Sequence, residues 1–206
     1  KDKERILFTT YTANLASDIK DNLRKICTLD EIRRIDVINL DAWVSQFLRE
    51  HGYPAEIVYE EKADNLWEEA VMGTDFSGEF PVSFYEEEYN RVVVAQEAFS
   101  LEKYVKASRT GRGTRLDRKK RMQIWKVFEA YQNLMKENQV RDINTAMYEC
   151  RLLIEKISSK TRYKHVIVDE GQDLSANAFR LLRSIAGEEH ENDIFIVGDA
   201  HQRIYK

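Results

Sequence analysis

Asp169 and Glu170 follow directly on the apolar run Val166-Ile167-Val168, with Gln172 and Asp173 close behind. A second run, Ile194-Phe195-Ile196-Val197, ends in Gly198-Asp199, and Gln202 and Tyr205 come after it. In an open α/β sheet, ligands bind at the carboxyl ends of the strands. A carboxylate there, facing a triphosphate, is a hard oxygen ligand suited to Mg²⁺. A second carboxylate beside it can orient and deprotonate a water for phosphoryl transfer. The bland alternative is that such acids only end strands or begin helices.

Carboxylates in this role need strands to deliver them. Residues 6–11 (ILFTTY), 35–40 (IDVINL), 164–169 (KHVIVD) and 194–198 (IFIVG) read as short apolar strands. After the first, Leu15, Ile19, Leu23 and Ile26 recur at near-helical spacing. Asp41 is placed to cap a helix that buries Trp43, Val44, Phe47 and Leu48 and stops at Gly52. Ser175 is placed as the N-cap of a further helix, with Gly187 beyond its end. Strands alternating with helices predict an α/β fold, a parallel sheet covered on both faces.

Residues 56–160 differ in character. Ser83 and Glu86 form a capping-box pattern ahead of Tyr89, Val92, Val93 and Phe99. Ile124, Trp125, Phe128, Tyr131 and Met135 form another stripe, and Ile143, Met147, Cys150, Ile154 and Ile157 a third. They predict an inserted, all-helical lobe.

Composition narrows the class. The chain has 206 residues, 43% hydrophobic and 33% charged, as in an ordinary globular protein. No apolar run approaches the ~20 residues that cross a bilayer. The opening KDKERILFTTYT lacks the apolar core of a signal peptide. Cys27 and Cys150 form no CxxC or Cys/His cluster, which argues against structural zinc and predicts buried, reduced thiols in a cytoplasmic protein. The net charge of −4 does not announce nucleic-acid binding, but charge is unevenly spread. Residues 56–90 hold eleven acids and one base, whereas 109–121 hold seven bases and one acid.

The acidic strand ends gain meaning in combination. DEGQD at 169–173 is followed, after one helix and one strand, by GDAHQRIY at 198–205. Together they resemble motif II (DExQD) and motif III (GDxxQxIY) of superfamily 1 DNA helicases of the UvrD/Rep type. TYTANLASDI at 10–19 resembles that family's motif Ia through Thr10, Tyr11, Thr12, Ala16 and Asp18, and departs from it at Ala13. VINLDAWVSQFL stands where the next DNA-contacting motif belongs but lacks its usual Thr and His. SRTGRGTRLDRKKRMQIW resembles a stretch of the helical 1B subdomain carried by some of these helicases.

The resemblance implies part of a RecA-like P-loop NTPase motor, with residues 1–55 and 161–206 forming the motor domain and 56–160 a 1B-like insertion. It implies an enzyme that uses ATP and Mg²⁺ to move along single-stranded DNA, 3′ to 5′, and to unwind duplex junctions, in DNA repair or recombination. Asp169 would hold Mg²⁺, Glu170 would activate water, and Gln202 would sense the γ-phosphate. Asp173 and Asp199 would couple the two motifs. Thr10, Tyr11 and Tyr205 would lie on the DNA path, with Tyr11 stacking on a base; a core aromatic at a strand end is the alternative for Tyr11. Arg109, Arg112 and Arg115 are candidate phosphate contacts, or else a solvated surface balancing the acidic segment. They recur every third residue, so no long helix would align them.

The family's G-x-x-x-x-G-K-[ST] loop is absent: none of the eight glycines is followed by Lys. A fragment that does not itself hydrolyse ATP is therefore expected, the rest of the motor being supplied by a longer polypeptide. A non-catalytic DNA- or protein-binding module that kept the motor fold is the alternative. In the family the phosphate-loop strand lies beside the motif III strand, so residues 194–198 are expected to form an open edge prone to self-association.

Overall fold

The computed structural model describes residues 4–10, 12–75, 79–157 and 163–199. In chain order the elements are β1 (Ile6–Thr10), α1 (Ala13–Ile26), α2 (Leu29–Ile32), β2 (Ile35–Asn39), α3 (Leu40–Glu50), β3 (Glu56–Val58) and α4 (Glu60–Met72). There follow α5 (Val82–Glu88), α6 (Leu101–Lys106), α7 (Arg118–Glu137), β4 (Val140–Asp142), α8 (Ile143–Ile157), β5 (His165–Val168), α9 (Ala176–Ala186) and β6 (Ile194–Ile196). The chain divides into two compact units, Lys1–Tyr53 with Met147–Lys206, and Pro54–Ala146.

The first unit is built on a four-stranded sheet in the order β2-β1-β5-β6. Every pairing is parallel. The register sets Leu7 beside Val166 and Thr9 beside Val168, and all four are buried. Their alternates Phe8 and Ile167 line the opposite face and are half-buried. From β1 the chain crosses to β2 on one side, and from β5 to β6 on the other. Right-handed crossovers in opposite directions put α1 and α9 on opposite faces. The carboxyl ends of β1 and β5 then flank a point where the winding reverses, the usual place for a ligand.

The expected cover on both faces fails at one edge. Phe195 and Ile196 of β6 are 63% and 51% exposed. Among the described residues β6 has β5 alone as a sheet neighbour.

Local signals explain most helix starts. Thr12 caps α1 by accepting the Leu15 N–H at 3.3 Å, and Ser175 caps α9 through Ala178 N–H at 3.2 Å. Helix α3 differs from expectation. It begins one residue before Asp41, with Asn39 at the N-cap and no side-chain cap bond. Asp41 lies in the first turn, where burial pushes its carboxyl above the usual range. Ile26 does not face the core: it closes α1 at 80% exposure. Cys27 is half-buried, whereas Cys150 is fully buried and burial pushes its thiol up to about 12.

The second unit packs aromatics against one another. Trp67 stacks on Tyr131 with centroids 3.6 Å apart, and Tyr89 meets Phe128 edge-on at 5.3 Å. Such pairs contribute about 0.5–1.5 kcal/mol each beyond area burial. The lobe is not purely helical, because β3 and β4 pair in parallel, Val58 beside Asp142. Helix α5 ignores the Ser83/Glu86 pattern. It starts behind Pro81, whose carbonyl accepts the Phe84 N–H at 2.9 Å. Proline suits a helix start because it has no N–H to leave unpaired. The helix then widens into a π turn over Tyr89–Val94, and Phe99 lies beyond it.

Candidate functional site

The site grows from the end of β5. The Asp169 N–H donates to the Thr9 carbonyl at 3.0 Å, which holds the strand end against β1. Glu170 then turns left-handed, with φ 55° and ψ 39°. That conformation costs a residue with a Cβ roughly 1–2 kcal/mol. It lets Asp169 Oδ1 accept the Glu170 N–H at 3.0 Å. A 3₁₀ turn, Gly171–Asp173, follows.

Two glycines let this turn rest on the end of β6. The Gly171 N–H donates to the Val197 carbonyl at 2.9 Å. A Cβ on Gly171 would stand 2.6 Å from Ile196 Cγ2. A Cβ on Gly198 would collide with Gln172 Oε1. Gln172 is thus held between its own turn and the backbone that follows β6. Its Nε2 donates to Glu170 Oε2, and its Oε1 accepts the Asp199 N–H at 3.0 Å. The sequence singled out Gln172 only as a member of the acidic motif; the bond that connects the two motifs was missed, although its position inside DEGQD was the available signal.

The donor set fits Mg²⁺. Asp169 and Glu170 are adjacent, half-buried hard oxygen donors. Among the described residues no group of three or more His, Cys, Asp or Glu could hold a metal alone. Mg²⁺ does not ask for one, since it takes one or two carboxylates plus phosphate oxygens and waters. Asp173 lies beside them, its N–H donating to the Glu170 carbonyl at 3.1 Å.

The expected DNA path is only partly in view. Tyr11, Gln202 and Tyr205 lie outside the described residues. Thr10 is 2% exposed, and its hydroxyl donates to the Thr12 carbonyl at 2.7 Å. In this structure Thr10 shapes the loop from beneath and offers no open surface of its own.

The basic stretch is corrected in part. Arg109 and Arg112 are not free for phosphate: their side chains are 7% and 11% exposed and both pair with the buried Glu88. Arg112 also reaches Glu87 at 2.6 Å. Arg121 donates to the carbonyls of Tyr104, Val105 and Ala107 at the end of α6. Arg115, Arg118 and Lys119 are exposed.

One sizeable cavity lies elsewhere. About 690 Å³ opens along β2, at the sheet edge opposite β6, lined by Arg5, Asp36, Trp43, Phe47, His51 and Tyr163 among others. Neither Asp169 nor Glu170 touches it. Its polar wall is partly paired internally: Arg5 Nη2 donates to both Asp36 oxygens at 2.6 and 2.7 Å, the Tyr163 hydroxyl donates to Asp36 at 2.7 Å, and the buried Arg5 Nε has no hydrogen-bond partner.

Comparison with known proteins agrees with the motif geometry. The family model described as UvrD/REP helicase N-terminal domain matches residues 1–206. A probable DNA helicase of Mycoplasma pneumoniae is 25% identical over 215 residues, covering 98% of this chain and 39% of that protein. DNA helicase IV of Escherichia coli is 28% identical over 80 residues, 39% of this chain and 12% of that protein. One component of an ATP-dependent helicase/nuclease of Bacillus licheniformis is 32% identical over 84 residues, 34% of this chain and 7% of that protein. The chain therefore spans about two-fifths of the Mycoplasma relative and less of the others.

Proposed function

The chain belongs to the UvrD/REP helicase N-terminal domain family, and on that footing we propose that it is part of an ATP-dependent DNA helicase motor. It contributes the metal-holding and water-activating part of the ATP site, together with part of the path for single-stranded DNA. Residues 1–55 and 161–206 serve as the motor domain and 56–160 as a 1B-like insertion, whose last helix from Met147 onward belongs to the compact unit that holds the motor strands. The intact protein acts at junctions of single-stranded and duplex DNA.

The observation that carries this reading is the position of Asp169 and Glu170 at the end of β5, with Gln172 joining Glu170 to the backbone at Asp199. Bound ATP with Mg²⁺ would supply the phosphoryl group. Asp169 is the metal-holding carboxylate. Glu170, fixed in its left-handed bend, takes the proton of the attacking water. Gln202 contacts the γ-phosphate, and Asp173 and Asp199 support the junction of the two motifs. Tyr11 and Tyr205 offer π-faces to bases, a sequence-tolerant contact worth roughly 1–3 kcal/mol per base.

Phosphoryl transfer depends mainly on positioning. The 206 residues contain no G-x-x-x-x-G-K-[ST] loop to grip the β- and γ-phosphates. This chain alone is therefore inactive, and turnover belongs to a longer polypeptide that brings such a loop. In that intact protein, Glu170→Gln is expected to lower DNA-stimulated ATP hydrolysis by about 10²–10⁴-fold, the usual worth of a general base. Unchanged turnover in that variant, or robust turnover by the 206-residue chain itself, would overturn the proposal.

A further inference from the structure

We propose that Gln172 is a positioning residue that holds the Glu170 carboxylate in register with the backbone at 198–199. This rests on reading Glu170 as the water-activating group. One rigid amide plane makes both contacts: its nitrogen donates to Glu170 Oε2 and its oxygen accepts the Asp199 N–H at 3.0 Å. Glutamine suits the position because one end must donate to a carboxylate while the other accepts from a backbone N–H. Glutamate could only accept, and asparagine is a methylene shorter.

The surroundings leave the amide little freedom. Gly171, at its base, is pressed against Ile196, and Gly198 leaves the space that Gln172 Oε1 fills. A shift of the Asp199 backbone therefore pulls on the amide and through it on Glu170. The backbone at 198–199 and the carboxylate of Glu170 move as one linkage. A change at the end of β6 is thereby converted into a change in where the base points.

The test separates the linkage from the chemistry. In the 206-residue chain, Gln172→Ala is expected to speed amide hydrogen exchange at Asp199 by ~10-fold, as loss of one hydrogen bond allows. Gln172→Glu keeps an acceptor and should leave that exchange close to wild type. Gly198→Ala keeps Gln172 but crowds Oε1, so it should speed exchange as Gln172→Ala does; it decides the matter if Gln172→Ala fails to fold. In the intact protein, Gln172→Ala and Gln172→Glu should both lower kcat for DNA-stimulated ATP hydrolysis by ~10-fold, as expected of a misplaced base. KM for ATP should move by less than about twofold, because the lost contact does not bind substrate. Unaltered Asp199 exchange in Gln172→Ala and Gly198→Ala, or full turnover in Gln172→Glu, overturns the linkage. Full turnover in Glu170→Gln instead overturns the role of Glu170, and the exchange result still judges the linkage.

Discussion

Arg109 Nε donates to Glu88 Oε1 at 2.5 Å, and the Glu88 side chain is wholly buried. Arg109 Nη2 and Arg112 Nε complete the carboxylate at 2.9 and 3.1 Å from Oε2, and the Tyr104 hydroxyl adds a bond to Oε1 at 3.1 Å. Charge and hydrogen bonds are thus matched inside the helical unit, and the loop around Gly111 is drawn onto α5. Removing one member of a buried pair leaves an uncompensated charge and costs about 3–5 kcal/mol. Glu88→Ala is expected to destabilise the protein by that amount in urea denaturation. A loss below about 1 kcal/mol, the range of exposed ion pairs, would contradict the buried arrangement.

The same unit carries a pH dependence. Burial pushes the Asp142 carboxyl above its ordinary range, against the lowering effect of bonds from Thr145 and Tyr131. Glu86 is raised by burial and then by the charges of Asp64 and Asp142. A carboxyl whose folded pKa exceeds its unfolded one holds its proton preferentially in the native state. Its contribution to stability is complete below the unfolded pKa and is lost as pH rises through the folded one. Asp142→Asn carries no charge; its amide oxygen can accept the Thr145 N–H, and its NH2 can donate to the hydroxyls of Thr145 and Tyr131, which then act as acceptors. It should therefore be more stable than wild type near neutral pH, with the advantage vanishing below about pH 4, the ordinary carboxylate range. Urea midpoints at the two pH values check this, and an advantage that grows on acidification would refute it.

The open edge of the sheet predicts association. Phe195, Ile196 and Val197 are exposed by 63, 51 and 46%, on and just beyond a strand whose outer side is unpaired among the described residues. Flat apolar edges template pairing with another chain, and an added lysine blocks it. The 206-residue chain is expected to show concentration-dependent mass in sedimentation, and Phe195→Lys to sediment as a monomer. A wild-type chain that stays monomeric at every concentration would dispose of the idea.

What could be read from sequence divides along physical lines. The strands of the main sheet were legible because β1, β2 and β5 are short and rich in Ile, Val, Leu and Phe, and Ser175 because a cap bond spans three residues. The Glu88 cluster was not, since its partners lie 21 and 24 positions away. Spacing along a loop shows neither burial nor partner, so for Arg109 and Arg112 phosphate contact and a solvated surface balancing the acidic segment stood as equal alternatives. The β3–β4 pairing stayed hidden for the same reason: two three-residue strands carry almost no period, and a long stretch of chain separates them. At the candidate site, residue types suggested the chemistry proposed for Asp169 and Glu170. The left-handed bend at Glu170 was invisible, because glutamate is not a residue that asks for it.

That bend sets shape and chemistry at one position against each other. Backbone preference at φ 55° favours glycine or asparagine at position 170. The water-activating role proposed for position 170 needs a carboxylate with the reach of glutamate. A homologue that has abandoned hydrolysis is under no pressure to keep the strained choice and would relax toward glycine or asparagine there, gaining stability. Position 170 is therefore a one-letter marker by which working motors and retired ones could be sorted from sequence.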